Sequence, residues 1–527
     1  MTTARTIVIR NAVVHTGTRG LHEPAPTAVV VHDGRIAHVG GDTGLADWAS
    51  DPGVEHLDAQ GALVAPAFVD AHVHTVLSGY LRTQVDLSTV SSLAETLELV
   101  ARAAADREDP DEVILGQGWD DSAWVERRPP TATELDGVAP GAKVFLTRLD
   151  GHSAVLSPAL MLAIDGLAGH QGYGHHGHMT LDAMAHAVAA LGELIGPRHR
   201  LAAARAAMQG YACQGIAAFH EAAAPHIGPA YEIELVRQAA AEAGLLPTVY
   251  WGVHLAVAEA RALGVRGLAG DLNADGSIGS RTAAMHTAYD DRPGHTGHAY
   301  LSPEQMAEHV VLCTREGLQA GFHCIGESGI EALTEAFRLA EKELGAAAIR
   351  RAGHRLEHVE MPSGETLAMM AELGLHASMQ PLFDALWGGP DQMYAERLGD
   401  RWRGMNPIGA MHRAGINVAL GSDTPVTRPM PWEAIRAACT HHEEDQRVDR
   451  ATAFRMHTVG GWRASGDPDV GPDAGTLAVG APAHLAVWRT ELDGTLPPLD
   501  ATPAIERLVV DGRTVQSASH APQEASR

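Results

Sequence analysis

At 527 residues, 45% of them hydrophobic and 20% charged, the chain can bury a large core and has the balance of an ordinary globular protein of two or three structural units. A formal net charge of -26 repels a phosphate backbone, so nucleic acid is excluded as an expected partner. No run of about 18 apolar residues suggests a membrane span, and the opening residues 1–10 lack the uninterrupted apolar stretch of a secretion signal, so a cytoplasmic location is expected.

The first sixty residues carry short β-branched runs at 6–14, 28–31 and 35–39, the last two joined by Asp33-Gly34 in the manner of a hairpin. The same texture returns at 483–488 and 507–515, which predicts one β-sandwich domain assembled from both ends of the chain, 1–65 and 466–527. Between them, apolar runs at 144–146, 215–219, 249–251, 321–322, 375–379 and 416–420 alternate with helical stretches at 181–191, 302–316 and 329–343. This α/β alternation predicts a parallel sheet over 66–465, closed as a (β/α)8 TIM barrel whose functional groups gather at the C-terminal strand ends. Residues from about 80 to 210 are too many for one strand-helix unit and are expected to form an insertion after the first barrel strand. Within it, the Gly/His-rich stretch 169–178 reads as a mobile surface loop rather than an auxiliary metal site, and Trp119 and Trp124 as packing residues rather than pocket walls. Cys213, Cys313, Cys324 and Cys439 stand far apart, which suits buried thiols in a reducing compartment better than a disulfide framework or a thiolate zinc site.

The chemistry is concentrated at strand ends. His72 and His74, in Asp70-Ala71-His72-Val73-His74, follow the apolar run 62–69, and alternation along a strand points both rings to the same side, where they can grip one metal ion. Three later segments also place a metal-capable residue at the end of an apolar run: His323 in 321–327, His358 in 355–360 and Asp423 in 418–425. Each alone is compatible with a capped strand end or a satisfied core histidine. The order His-x-His, His, His, Asp along one chain is hard to explain that way.

These segments, with Asp150-Gly151-His152-Ser153-Ala154, Asp275-Gly276-Ser277 and Met379-Gln380-Pro381, resemble the amidohydrolase superfamily over nearly the full length, and within it the branch of the N-substituted formamide deformylases. The resemblance implies a (β/α)8 barrel with a β-sandwich from both termini, and His72, His74, His323, His358 and Asp423 around divalent metal, usually zinc. Where that branch carries a lysine shortly before Asp275, which would be carboxylated to bridge two metals, this chain has Asp271. Its side chain is short and would bridge only if the backbone moved inward. A single zinc ion held by His72, His74, His323 and Asp423, with His358 beside it, is therefore the expectation; the alternative is a second ion on His323 and His358, should Asp271 or Glu221 reach the site.

A zinc ion lowers the pKa of its water from about 15.7 to about 7. Asp423 is then placed to accept the water's proton and hand it to the departing nitrogen, while His358 and the metal stabilise the oxyanion. His152 and Arg281 are candidates for substrate contact, with a loop-bracing role as the alternative, and His220 and Glu221 for support behind the ligands. The reading is a hydrolase of a non-peptide C–N bond (amide, formamide or cyclic amide) acting on a small molecule, with homo-oligomerisation compatible with the sequence. The rivals are a mononuclear deaminase of a heterocycle and a non-catalytic binding or scaffold protein on the same fold.

Overall fold

The computed structural model describes residues 6–18, 25–46, 48, 53–107, 109–121, 124–148, 153–467 and 470–517. The chain divides into two compact units, one formed by Met1–His74, Met208–Ile233 and Arg237–Arg527, the other by Thr75–Ala207 and Glu234–Val236.

The first unit holds eight parallel strands, hydrogen-bonded in sequence order: β1 (Phe68–Val73), β2 (Ile216–Ala223), β3 (Leu246–Trp251), β4 (Gly267–Leu268), β5 (Gln319–Cys324), β6 (Arg355–His358), β7 (His376–Met379) and β8 (Asn417–Leu420). The ring closes where β8 returns to β1: Asp423 N–H donates to His72 O at 2.8 Å and His74 N–H to Thr424 O at 2.9 Å. The expected (β/α)8 barrel is thus present. Every residue of β1 is buried, as expected of a parallel strand covered on both faces. Helices between the strands stop abruptly. Pro303–Glu316, opened by a Ser302/Gln305 capping box, ends at left-handed Gly317, two residues before β5, and Gly364–Leu373 ends at left-handed Gly374, two residues before β7.

Two further sheets of this unit form a sandwich. One contains Thr6–Arg10, Ala28–His32, Arg35–Gly40 and Val54–Asp58; the other joins Val13–Val14 and Leu63–Pro66 to Leu485–Arg489, Ala504–Val510 and Arg513–Ser517. Leu63–Pro66 pairs antiparallel with Leu485–Arg489, so the two chain ends share a sheet. Ile7, Ile9, Val29 and Val31 pack in one core with Val64, Leu485, Val487 and Val509.

The second unit corresponds to the expected insertion and has its own five-stranded mixed sheet. The segment 144–146, expected as a strand and lying within the bounds given for that insertion, belongs to this sheet: Val144–Arg148 pairs with Ile114–Trp119 and Ser153–Leu156. Its apolar pattern suits either sheet, and only the pairing partner separates them. Trp119 and Trp124 are buried among Leu87, Leu135 and Leu146, and Trp119 Nε1–H donates to Leu146 O at 3.0 Å. The stretch 169–178 forms turns at the surface: Gly172 and Gly177 have positive φ, and the His170 ring stacks on His186 at 4.2 Å.

Candidate metal centre

The centre is built where β1 meets β8. His72 is the last residue but one of β1 and His74 directly follows the strand, and their Nε2 atoms stand 3.5 and 3.1 Å from Asp423 Oδ1. Asp70 ties the two strand ends together, its Oδ1 accepting the backbone N–H of Ser422 at 2.9 Å and of His72 at 3.3 Å. Asp423 has φ 55° and His358 φ 69°, a left-handed backbone that non-glycine residues adopt only when their surroundings enforce it. At His358 this has a use. Arg355 and Glu357 share one face of β6, regular alternation would turn the next side chain away, and the left-handed twist leaves the His358 ring 5.1 Å from that of His72.

Behind His72 lies a buried ion pair. Glu357 Oε2 accepts the Nδ1–H of His72 at 3.0 Å, and Arg355 grips both carboxylate oxygens, Nε to Oε1 at 2.6 Å and Nη2 to Oε2 at 2.8 Å. The same guanidinium donates to Ala71 O and to His220 Nδ1, each at 2.7 Å, and lies 4.6 Å from the Tyr250 ring centre. His220 is thereby an acceptor for Arg355. Glu221 is buried on the same strand. With Nδ1 of His72 committed to Glu357, its lone pair is at Nε2, a buried atom with no hydrogen bond of ordinary geometry.

The remaining imidazoles are oriented in the same way. His358 Nδ1–H donates to Gln380 Oε1 at 2.8 Å, and His323 Nε2–H to Gly276 O at 3.2 Å, so His358 presents Nε2 and His323 presents Nδ1. Asp271 stands among them: Oδ1 is 3.3 Å from His72 Nε2 and 3.9 Å from His323 Nδ1, and Oδ2 is 3.3 Å from His74 Nε2. The sequence made a bridging reach conditional on the backbone moving inward; here the Asp271 carboxylate lies beside His72 and His74. Among the described residues, the ligand atoms of His72, His74 and Asp423 lie within 4.8 Å of one another, as do those of His72, Asp271 and His358. His323 falls in neither trio, although the sequence placed it with His72, His74 and Asp423.

Electrostatics mark the cluster as a place for positive charge. Burial pushes the Asp271 carboxyl up, but His74 and His72 beside it hold it well below the usual range, and Asp423 is lowered likewise against burial by His74 and His72. The same contacts work in reverse on His72 and His74, raised despite burial by Asp271, Glu357 and Asp423. His358, buried and next to His323, is pushed down to about 4 and stays neutral, as a metal ligand must.

Arg281 does not turn to this cluster; its Nε donates to both Asp291 oxygens at 3.0 Å, the loop-bracing arrangement. His152 lies outside the described residues. A cavity of about 280 Å³ adjoins the cluster, lined by His226, Gly252, Asp271, Leu272, Asn273, Tyr300 and Leu301. Arg355, the partner of Glu357, was missed from sequence, although Arg-x-Glu on a strand running into His358 is a legible sign of a buried pair. Gln380 and Asp275 lie in motifs the sequence singled out, yet their contacts needed coordinates. Asp275, wholly buried, accepts three backbone N–H groups, from Ala284, Ile325 and Gly326.

A barrel with paired histidines, two further imidazoles and an aspartate at its C-terminal rim defines a metal-dependent hydrolase. The amidohydrolase family model matches residues 55–516, and the chain belongs to that family. It is 26% identical over 535 residues to an N-substituted formamide deformylase of Arthrobacter pascens, covering 92% of this chain and 94% of the relative. A putative amidohydrolase of Bacillus subtilis is 24% identical, with 79% and 81% covered. An uncharacterised metal-dependent hydrolase from Pyrococcus furiosus has the same fold, with a TM-score of 0.76 at 22% identity, covering 92% of this chain and 98% of that structure. Among the described residues no helix is long and apolar enough to cross a membrane.

Proposed function

We propose that this protein hydrolyses a non-peptide C–N bond, an N-acyl, formamide or cyclic amide linkage of a small molecule, with zinc held by His72, His74 and Asp423. The observation that carries the reading is the convergence of His72 Nε2 and His74 Nε2 on Asp423 Oδ1 at 3.5 and 3.1 Å. Ligand atoms of a tetrahedral ion with bonds of about 2.0–2.1 Å stand about 3.3 Å apart. These residues fit such an ion as they are, and the buried, unbonded His72 Nε2 is the donor it would use. A bound divalent cation supplies a strong water-derived nucleophile at neutral pH and polarises the carbonyl under attack.

The protein side chains supply the rest. Asp423 keeps one oxygen near the histidines and is held as a carboxylate, so it can take the proton of the attacking water and pass it to the leaving nitrogen. Neutral His358, braced by Gln380, faces the same space and is placed to stabilise charge developing on the carbonyl oxygen. Glu357 and Arg355 fix the orientation of His72. The adjoining cavity offers His226, Asn273 and Tyr300 to a substrate. The family relationship to an N-substituted formamide deformylase supports formamides as the first class to assay.

The test is purified protein with zinc or manganese against N-substituted formamides, N-acyl amines and cyclic amides, with formate, acid and amine quantified. Release of ammonia from an amino-substituted heterocycle, with no amide turnover, would instead establish a deaminase. No bound metal and no turnover after metal addition would leave a binding protein on this fold.

A further inference from the structure

We propose that a cleft at the N-terminal end of β8, across the barrel from the metal centre, binds a small organic molecule through a carboxylate or phosphate group held by Arg455 and Arg463. The cleft measures about 800 Å³, the size of a small-molecule site. Ile416, Asn417 and Val418, where β8 begins, form one wall, whereas Asp423 of the metal cluster lies beyond the other end of that strand. The two sites therefore open at opposite ends of the barrel.

The facing wall is a helix wound to suit the cleft. Arg450–Arg455, Met456–Gly460 and Gly461–Ala464 run on without a break, and Met456–Gly460 is an i→i+5 turn, a rare feature that is frequent at functional sites. Residues of this run line the cleft at every fourth position, 451, 455, 459 and 463, and again at 452, 456 and 460. In a regular α-helix two turns take about 7.2 residues, so side chains eight apart would be rotated about 80° from one another. The wide turn takes up one more residue, and Arg455 and Arg463 come to share a face. Gly460 lets the helix lie on the strand: a Cβ there would stand 2.2 Å from Val418 O, and Asn417 Nδ2 donates to Gly460 O at 3.1 Å.

Charge identifies the ligand. Asp and Glu number 65 in this chain against 39 Lys and Arg, yet none of the described residues lining the cleft is acidic, while two are arginines and two histidines. Arg455 Nη1 is anchored by donating to Gly17 O. The Arg463 guanidinium is exposed and makes no hydrogen bond or ion pair among the described residues. Asp449 and Asp493, close in sequence to lining residues, are engaged elsewhere, Asp449 by the Thr452 hydroxyl and Asp493 by Arg450, each at 2.7 Å. Neighbouring imidazoles feel the unbalanced field. Burial and then Arg455 push His15 down to about 4, and burial, Arg355 and Arg463 do the same to His376, which accepts from Asn417 Nδ2 at 3.1 Å. A concave surface of one sign of charge concentrates counter-ions, and the paired N–H groups of a guanidinium match two oxygens of a carboxylate or phosphate. Val14, Ile416, Val418 and Val459 add apolar surface, which suits an organic body and not a bare ion.

The experiment is isothermal titration calorimetry of the intact, metal-loaded protein with phenyl phosphate, benzoate and inorganic phosphate, and with benzyl alcohol as the uncharged control, for wild type, Arg463→Gln and His74→Ala. The expected result is saturable binding of phenyl phosphate or benzoate, one per chain, the tighter of the two naming the group. Inorganic phosphate should bind more weakly and benzyl alcohol not at all. Arg463→Gln should weaken the organic anion about 10- to 100-fold with metal content unchanged, and His74→Ala should leave its affinity as in wild type. A Kd weaker than about 1 mM for every anion, an affinity unchanged in Arg463→Gln, or benzyl alcohol bound as well as the anions overturns the proposal. So does inorganic phosphate bound as tightly as phenyl phosphate, since the apolar wall would then contribute nothing. Binding lost in His74→Ala but kept in Arg463→Gln would put the anion on the metal and overturns it as well. Should His74→Ala not fold, wild type stripped of metal by a chelator takes its place. No readout uses turnover, so failure here is distinct from failure of the hydrolytic reading.

Discussion

Glu357 accepts the Nδ1–H of His72 at 3.0 Å, and this one hydrogen bond decides which nitrogen of the ring faces the cluster. Arg355 makes the bond durable. Its guanidinium holds the Glu357 carboxyl, against burial, well below the usual range, so the acceptor remains charged. Replacing Glu357 by Gln removes the charge behind His72 and is expected to weaken metal binding about 10- to 100-fold, measured by competition with a chromophoric chelator. Arg355→Met strands a buried carboxylate and is expected to cost about 3–5 kcal/mol in urea unfolding. Unchanged metal affinity in Glu357→Gln would show that the pair serves the fold alone.

Asp423→Asn keeps the shape of the side chain and removes its capacity to take a proton. The kcat of the C–N hydrolysis is expected to fall about 100- to 10,000-fold, the range for a lost general acid-base group. Dialysis of wild type against a chelator should abolish turnover, and zinc or manganese should restore it. Turnover that persists without metal would contradict the reading of the centre.

What could be read from the sequence depended on the range of the interactions involved. His72 and His74 were legible because alternation along one strand is local and puts both rings on one side whatever the strand pairs with. The barrel rim was legible through His323, His358 and Asp423 because each ends an apolar run. Asp271 was not, since its reach depends on the close approach of Gly252 and Gly270, which no spacing along the chain reveals. The two-residue strand β4, Gly267–Leu268, is too short to carry a pattern. The sheet that holds residues 144–146 was likewise not legible, because apolar strands look alike until their neighbours are known.

The cavity beside Asp271 makes its own prediction. Asn273 Oδ1 is buried without a hydrogen bond and borders that space, as does half-exposed Tyr300. Asn273→Leu and Tyr300→Ala are expected to raise KM, by roughly 10-fold for one lost hydrogen bond of about 1.4 kcal/mol, and to leave metal content unchanged. If KM stays constant in both variants, substrate binds elsewhere.

Trp119 separates packing from pocket in the second unit. It is buried, donates to Leu146 O at 3.0 Å and belongs to a core of its own unit. Trp119→Ala is expected to lower stability by about 3–5 kcal/mol with KM and metal content preserved in the folded protein. A rise in KM at full stability would make it a pocket residue after all.

Acid should unfold the protein through histidines away from the metal centre. His354 is buried, its Nδ1 accepting the Ala320 N–H at 2.8 Å, and burial pushes its pKa down to about 3. His309 and His457 are likewise pushed down to about 4 by burial. All three are neutral in the fold, whereas the unfolded chain takes up their protons below its own pKa of about 6.5. Between that value and the folded pKa the unfolded state binds more protons, so stability is full above pH 6.5 and falls as the pH drops towards 4. Each such group contributes a slope of about 1.4 kcal/mol per pH unit, roughly 4 for the three. Because the metal ligands also titrate, the decisive measurement is the difference between wild type and His354→Gln in urea unfolding from pH 7 to 5. The variant should be less stable at pH 7, and the gap should narrow by about 1.4 kcal/mol per pH unit below 6.5. A gap that stays constant across this range would mean that folding does not shift the His354 pKa.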